Sequence, residues 1–394
     1  MSEAFEIHAL KARDEALNAF LDVDEGATGG EGPLASVTVG VKGNIAVRGL
    51  PWTAGLEAYR NRVADRDAAV VAALRDAGAV IVGTLNMEEG ALGAKSDNPF
   101  YGAVQNPHRI GYSPGGSSGG SGAAVAAGLV DAALGTDTMG SIRIPASHCG
   151  VYGFKPATDA VSQDGLEPAD LSLDAIGPLA GDLDMLERVA RVVSDFGEKT
   201  TDCTGASLGD HGVEVDHQVA SVFDGVLSAL PTRPARVKLE HPNSRIRFAG
   251  FVQVSRAMAE HLGEAENLSD ALRKLLTYGP QRAPEKLAKD RAILDATRTR
   301  LREIVAEHGY FIMPTVPNPP FSHSEAEPAA QADFTCLANI AGLPAISIPA
   351  GWSNDGLPIG VQIVGEVGAE AGLFDLARQL DAELNAYRPP KPRS

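Results

Sequence analysis

Ala35-Ser-Val-Thr-Val-Gly-Val41, followed by Asp67-Ala-Ala-Val-Val-Ala-Ala-Leu-Arg-Asp-Ala-Gly78 and Ala79-Val-Ile-Val-Gly83, reads as strand, helix and strand. β-Branched residues crowd the first run, which ends against Lys42 as a buried strand would. In the second, Val70, Val71 and Leu74 fall on one helical face, with Asp67 placed as the N-cap and Gly78 as the C-terminal stop. Short links between such elements are the mark of an α/β sheet.

Outward from this unit, strands are predicted at 132–134, at 311–313 (FIM), at 345–349 (AISIP) and over GVQIVG at 360–365. Helices are predicted at 182–195, at 252–263, at 284–307 with Pro284 in the first turn, and at 369–385. Because the sheet draws strands from both ends of the chain, residues 1–394 are expected to form a single domain. Residues 196–235 mix Gly, Ser, Asp and Thr with little periodicity and read as a surface excursion, the first part of a variable middle segment at 196–283. Residues 1–21 carry charges throughout and read as an amphipathic helix, not a signal peptide.

Composition narrows the function classes. With 44% hydrophobic residues in 394, the chain can bury a large core, which excludes disorder. Thirty-four Lys and Arg against 51 Asp and Glu give a formal charge of −17, so a nucleic acid backbone would meet net repulsion. Cys149, Cys203 and Cys336 are too few for a disulfide framework or a four-cysteine zinc site, which fits a reducing, cytoplasmic compartment. No run approaches the apolar length of a membrane span.

The densest glycine cluster, Ser113-Pro-Gly-Gly-Ser-Ser-Gly-Gly-Ser-Gly122, runs straight into the small-residue helix AAVAAGLV at 123–130. A flexible linker would join domains, whereas this tract joins elements too short to be domains. It contains G-x-S-x-G, but the preceding PHRIGYSP has two prolines and no strand, so the nucleophile-elbow context fails. Neither a dinucleotide fingerprint nor a P-loop fits. What remains is a turn in which main-chain N–H groups converge on a ligand at Gly115 and Gly116 while Ser117 or Ser118 is held at a helix N-terminus. The loop Asp137-Thr-Met-Gly-Ser141 repeats the logic, with successive N–H groups able to receive an oxyanion. A serine needs a base. No histidine sits in a comparable loop, and His148 reads as a packing or surface residue. Lys42, at the end of a buried strand, is the alternative, since desolvation lowers a lysine pKa.

These residues carry a resemblance. The chain resembles the amidase signature family of Ser-Ser-Lys amide hydrolases over Val39–Asn44, Gly83–Gly93, Pro114–Ser121, Gly135–Pro145, Cys149–Pro156, Asn339–Pro344 and Gly356–Gln362. The resemblance implies a single-domain α/β/α sandwich around a large mixed β-sheet. It also implies a nucleophile at Ser141, a serine on a cis peptide at Ser117 and a base at Lys42. The oxyanion hole then falls on the N–H groups of Thr138, Met139, Gly140 and Ser141, with Gly115, Gly116 and Ser118 as substrate-binding positions. Asp137 and Arg143 are expected to pair and brace the loop. No metal or cofactor is implied.

Two departures stand out. Gly43 replaces the family's aspartate, which is expected to loosen the lysine's surroundings. Met139 replaces a glycine and is expected either to narrow the acyl pocket or to pack behind it. The chain is also shorter than typical members in its middle, where the family builds its substrate funnel.

The leading expectation is an amidohydrolase that releases ammonia or an amine from a small, short and polar carboxamide. The alternatives are the A subunit of an aminoacyl-tRNA amidotransferase and a non-catalytic binding protein on the same fold. The amidotransferase component carries an arginine-bearing insert that cannot be placed on LTYGPQRAPEKLAKDR at 276–291. Expected partners are the small-molecule amide and either a second copy of the chain or a small accessory subunit, with no direct nucleic acid contact and no membrane.

Overall fold

The computed structural model describes residues 7–200, 204–263 and 265–391. The strands are β1 (Phe20–Val23), β2 (Thr38–Lys42), β3 (Val80–Leu85), β4 (Asp97–Asn98), β5 (Gly102–Ala103), β6 (Ala132–Asp137) and β7 (Tyr152–Lys155). They continue with β8 (Ala175–Ala180), β9 (Ala206–Leu208), β10 (Ala235–Val237), β11 (Tyr310–Pro314), β12 (Ala345–Trp352) and β13 (Pro358–Gly365). The helices are α1 (Ile7–Asp14), α2 (Ala69–Asp76), α3 (Gly119–Ala126), α4 (Arg143–Cys149), α5 (Leu183–Val193) and α6 (His217–Ala229). After them come α7 (Asn243–Leu262), α8 (Asp270–Leu276), α9 (Pro284–His308), α10 (Cys336–Ala341) and α11 (Glu370–Leu384).

All strands but β4 and β5 join one eleven-stranded sheet in the order β1-β3-β2-β6-β8-β7-β12-β13-β11-β9-β10. It is mixed: β3, β2 and β6 run parallel, as do β11, β9 and β10, and the remaining pairs are antiparallel. Strand periodicity of two sorts the side chains into two cores. Ile312, Ile346 and Ile363 pack on one face with Val71, Leu186 and Phe374 from α2, α5 and α11. Their neighbours Phe311, Ala345 and Val364 pack on the other with Leu301 and Leu337 from α9 and α10. The result is the expected α/β/α sandwich around a large mixed sheet.

Several local expectations change. Asp67 does not cap α2; Ala68 occupies that position, while the Asp67 carboxylate accepts from the Arg48 N–H at 2.8 Å and pairs with Arg75. Residues 196–235 are more than a surface excursion. They supply β9 and β10 at the sheet edge and α6, whose Asp216 cap accepts from Gln218 and whose Val219 and Val226 are buried. The N-terminal helix ends early, because the Asp14 carboxylate accepts from the N–H groups of Ala19 and Phe20 and turns the chain into β1. The helix expected from 252 begins at Asn243, directly after Pro242. Residues 1–6, within the stretch read as an N-terminal helix, and Cys203 lie outside the described residues; Cys149 and Cys336 are buried and free. Among the described residues no helix is long and apolar enough to cross a membrane.

Candidate active site

Lys42 closes β2, which lies parallel to β6 with Val41 beside Leu134. This register carries the lysine toward Thr136, two residues further along β6. The Lys42 Nζ donates to Thr136 Oγ1 at 2.8 Å and to Ser117 Oγ at 2.7 Å. Both Lys42 and Ser117 are fully buried. Burial lowers the lysine pKa to about 7, with Asp174, Asp137 and Glu88 opposing the shift. At Gly43, Leu21 fills the place where a side chain would stand: a Cβ there would lie 2.6 Å from Leu21 Cδ1.

The Gly116–Ser117 peptide is cis. The turn it belongs to meets the second loop directly, the Ser118 N–H donating to the Ser141 carbonyl at 3.3 Å. Ser141 sits at the surface of a cleft of about 650 Å³, together with Thr138 and Met139. Among the described residues, none of the N–H groups of Thr138, Met139, Gly140 and Ser141 donates to a protein acceptor. Gly140 has φ +139, and a Cβ there would stand 2.1 Å from Thr335 Oγ1, so only glycine lets the loop close against α10. Four free donors along one loop are what a developing oxyanion requires.

The loop is held from behind. Arg143 grips Asp137 with Nε on Oδ2 at 3.0 Å and Nη2 on Oδ1 at 2.9 Å, both residues fully buried. The same guanidinium donates to Gln362 Oε1 and Asn339 Oδ1, each at 2.7 Å, which satisfies the pair inside the core. The guanidinium of Arg143 keeps the Asp137 carboxyl below the usual range although burial pushes the other way. Thr138 Oγ1 donates to Asp174, whose carboxyl burial raises to about 6.

Gly115, Gly116 and Ser118 are buried; like Ser117 they are not among the residues that line the cleft, and the Ser118 hydroxyl is engaged with the Thr136 backbone. Sequence reasoning misses Thr136 and Asp174 as neighbours of the lysine and the loop. The signal for Thr136 is its position one residue before Asp137, on the face of β6 that alternation shares with Leu134. The histidines are remote in role: His108 and His323 bond to the carbonyls of Cys149 and Val104, and burial lowers His148 to about 4.

The cleft walls come from the middle segment. Phe248, Phe251 and Val254 of α7 and Leu272 and Leu275 of α8 line the cleft with Met139 and Ile144 and form an apolar wall. The polar end is formed by Glu88, Glu327 and Arg247, the last paired with Asp333. Burial and the neighbouring Glu327 charge raise Glu88 to about 8.

The model of the amidase family matches residues 6–245 and 240–374. Among curated proteins, the chain is 34% identical to the A subunit of glutamyl-tRNA(Gln) amidotransferase from Exiguobacterium sibiricum, over 97% of this chain and 91% of that one. It is 33% identical to the protein of the same name from Methanothermobacter thermautotrophicus, over 94% and 93%. Among solved structures, it is similar to the corresponding amidotransferase chain of Thermotoga maritima, with a TM-score of 0.84, 29% identity and coverage of 98% and 94%. It is also similar to a chain of a vestigial protein complex tied to the origins of an s-triazine catabolic enzyme, with a TM-score of 0.89, 26% identity and coverage of 98% and 95%.

Proposed function

The chain belongs to the amidase family, and on that premise we propose that it hydrolyses a carboxamide to a carboxylate and ammonia with Ser141 as nucleophile. Neutral Lys42 accepts the Ser117 proton as Ser117 accepts the Ser141 proton, and Ser141 Oγ attacks the amide carbon. The N–H groups of Thr138 to Ser141 hold the tetrahedral oxygen. The proton returns through Ser117 to the nitrogen, the C–N bond breaks, and water then cleaves the acyl-serine by the same relay. The observation that carries this reading is the 2.7 Å bond from a buried lysine, with a pKa near neutrality, to Ser117.

A second reading is favoured by the curated relatives, which are named as A subunits of an amidotransferase. Under it the same chemistry supplies ammonia to a partner-bound acceptor, and the chain works inside a complex. The relatives support this setting more than a stand-alone amidase. Ammonia release by the isolated chain across a panel of primary amides tests the pair: broad turnover without partners supports the hydrolase, and turnover of one amide that rises only with partner subunits supports the second reading. Absence of ammonia and of Ser141 labelling by a serine-directed phosphonate in both settings leaves only a non-catalytic binding protein.

A further inference from the structure

Where α8 gives way to α9, a second and shallower cavity of about 470 Å³ adjoins the cleft. Phe248 and Tyr278 line both, so the two cavities share these rings as a common wall. The remaining walls include Lys274, Gln281, Arg282 and Lys286, and no Asp or Glu is among them. Lys274 and Lys286 are exposed and make no ion pair among the described residues. Arg282 and Arg245 share the single carboxylate of Asp290, so one guanidinium charge stays unmatched, and Arg245 Nη1 is buried without an acceptor. Arg282 lies 5.2 Å from the Phe248 ring centroid, and the Tyr278 ring meets Phe251 edge-on at 5.4 Å. A cationic pocket with aromatic walls thus borders the reaction cleft of a chain whose net charge is −17.

We propose that this elbow binds a carboxylate at the far end of the substrate, so that amides carrying a remote carboxylate are preferred over neutral amides of equal length. The proposal rests on the amide-hydrolase reading of the cleft and adds a substrate class to it. Salt screens the distant acidic surface within about 10 Å, whereas the lysines and the surplus guanidinium act at contact. Phe248 and Tyr278 cover the methylenes between the two ends, which water would otherwise hydrate.

The test is a series of dicarboxylic acid monoamides of increasing length, each paired with its methyl-terminated neutral counterpart. The reading is the ratio of kcat/KM within each pair, and the ratio of Kd from calorimetry. At low salt the carboxylate member is expected to be favoured by about tenfold at one length, and the advantage shrinks as salt rises. Lys274→Arg/Lys286→Arg keeps the advantage; Lys274→Glu/Lys286→Glu reverses it. Ratios at or below one at every length in the natural chain, or an advantage that survives the double glutamate variant, overturn the subsite. Turnover of neither member of any pair counts against the hydrolase reading instead, and the Kd ratios then still decide the subsite.

Discussion

Met139 occupies the space that glycine leaves at position 250: its Cε lies 3.2 Å, and its Sδ 3.8 Å, from where a Cβ would stand on α7. The 137–141 loop and the cleft wall are therefore fitted to each other through one side chain and one missing side chain. Met139 both lines the cleft and packs against α7, combining the two roles expected for it as alternatives. Met139→Gly is expected to raise kcat/KM for longer acyl groups by about tenfold, while Gly250→Ala pushes the thioether into the cleft and lowers it. A substrate-length profile that neither change moves would refute the pairing.

The relay makes a sharper demand on Ser141, Ser117 and Lys42. Ser141→Ala is expected to abolish turnover and phosphonate labelling, since Thr136 and Thr138 are engaged with Lys42 and Asp174. Ser117→Ala and Lys42→Ala each lower the rate by at least about a hundredfold, and the double variant loses far less than the product. Multiplicative losses would mean that the two do not act as one unit.

The proposed lysine base also predicts a pH profile. A base works in its deprotonated form, so with Lys42 at about 7 the kcat/KM is expected to rise through neutrality and level off in mildly alkaline solution. Lys42→Arg removes activity at every pH, because a guanidinium stays protonated. Single replacements of His108, His148 and His323 leave the rising limb in place, as His148 is already neutral well below it. A limb that vanishes with any one of these histidines would transfer the base to that residue.

Asp137 and Arg143 are expected to matter for stability as well as for rate. Asp137→Asn leaves the Arg143 guanidinium uncompensated in a fully buried position, a loss of about 3–5 kcal/mol. Urea unfolding monitored by circular dichroism reads this as a lower midpoint. A midpoint equal to that of the natural chain would show that the pair contributes nothing net.

Much of the fold is legible in the chain, for physical reasons that also mark the limit. The run into Lys42 and the α2 stripe of Val70, Val71 and Leu74 repeat with the periods of their elements, and both stand where those periods place them. β9 and β10, at three residues each, are too short to display a period, and they exist because β11 offers an edge to pair with. Asp67 has the composition of a cap, but tertiary partners take its carboxylate. The motifs bring Lys42 and Ser117 together and join Ser118 to Ser141, since short loops at strand ends leave little choice. Which side chains face the substrate depends on packing over long sequence separations. Phe248, Leu275 and Glu327 reach the cleft from helices and loops whose placement no local pattern records.

Gln362 and Asn339 hold the guanidinium that backs the 137–141 loop, yet they lie some two hundred residues after it. On the ribosome, Lys42, Ser117 and Ser141 emerge long before either partner exists. The nascent chain therefore holds its loop with the Asp137–Arg143 pair and the Thr138–Asp174 bond, and without these two partners, until α10 and β13 have been made and docked. Synthesis thus imposes an order on the molecule: the residues of the proposed relay come early, and the scaffold that aims them is finished almost last.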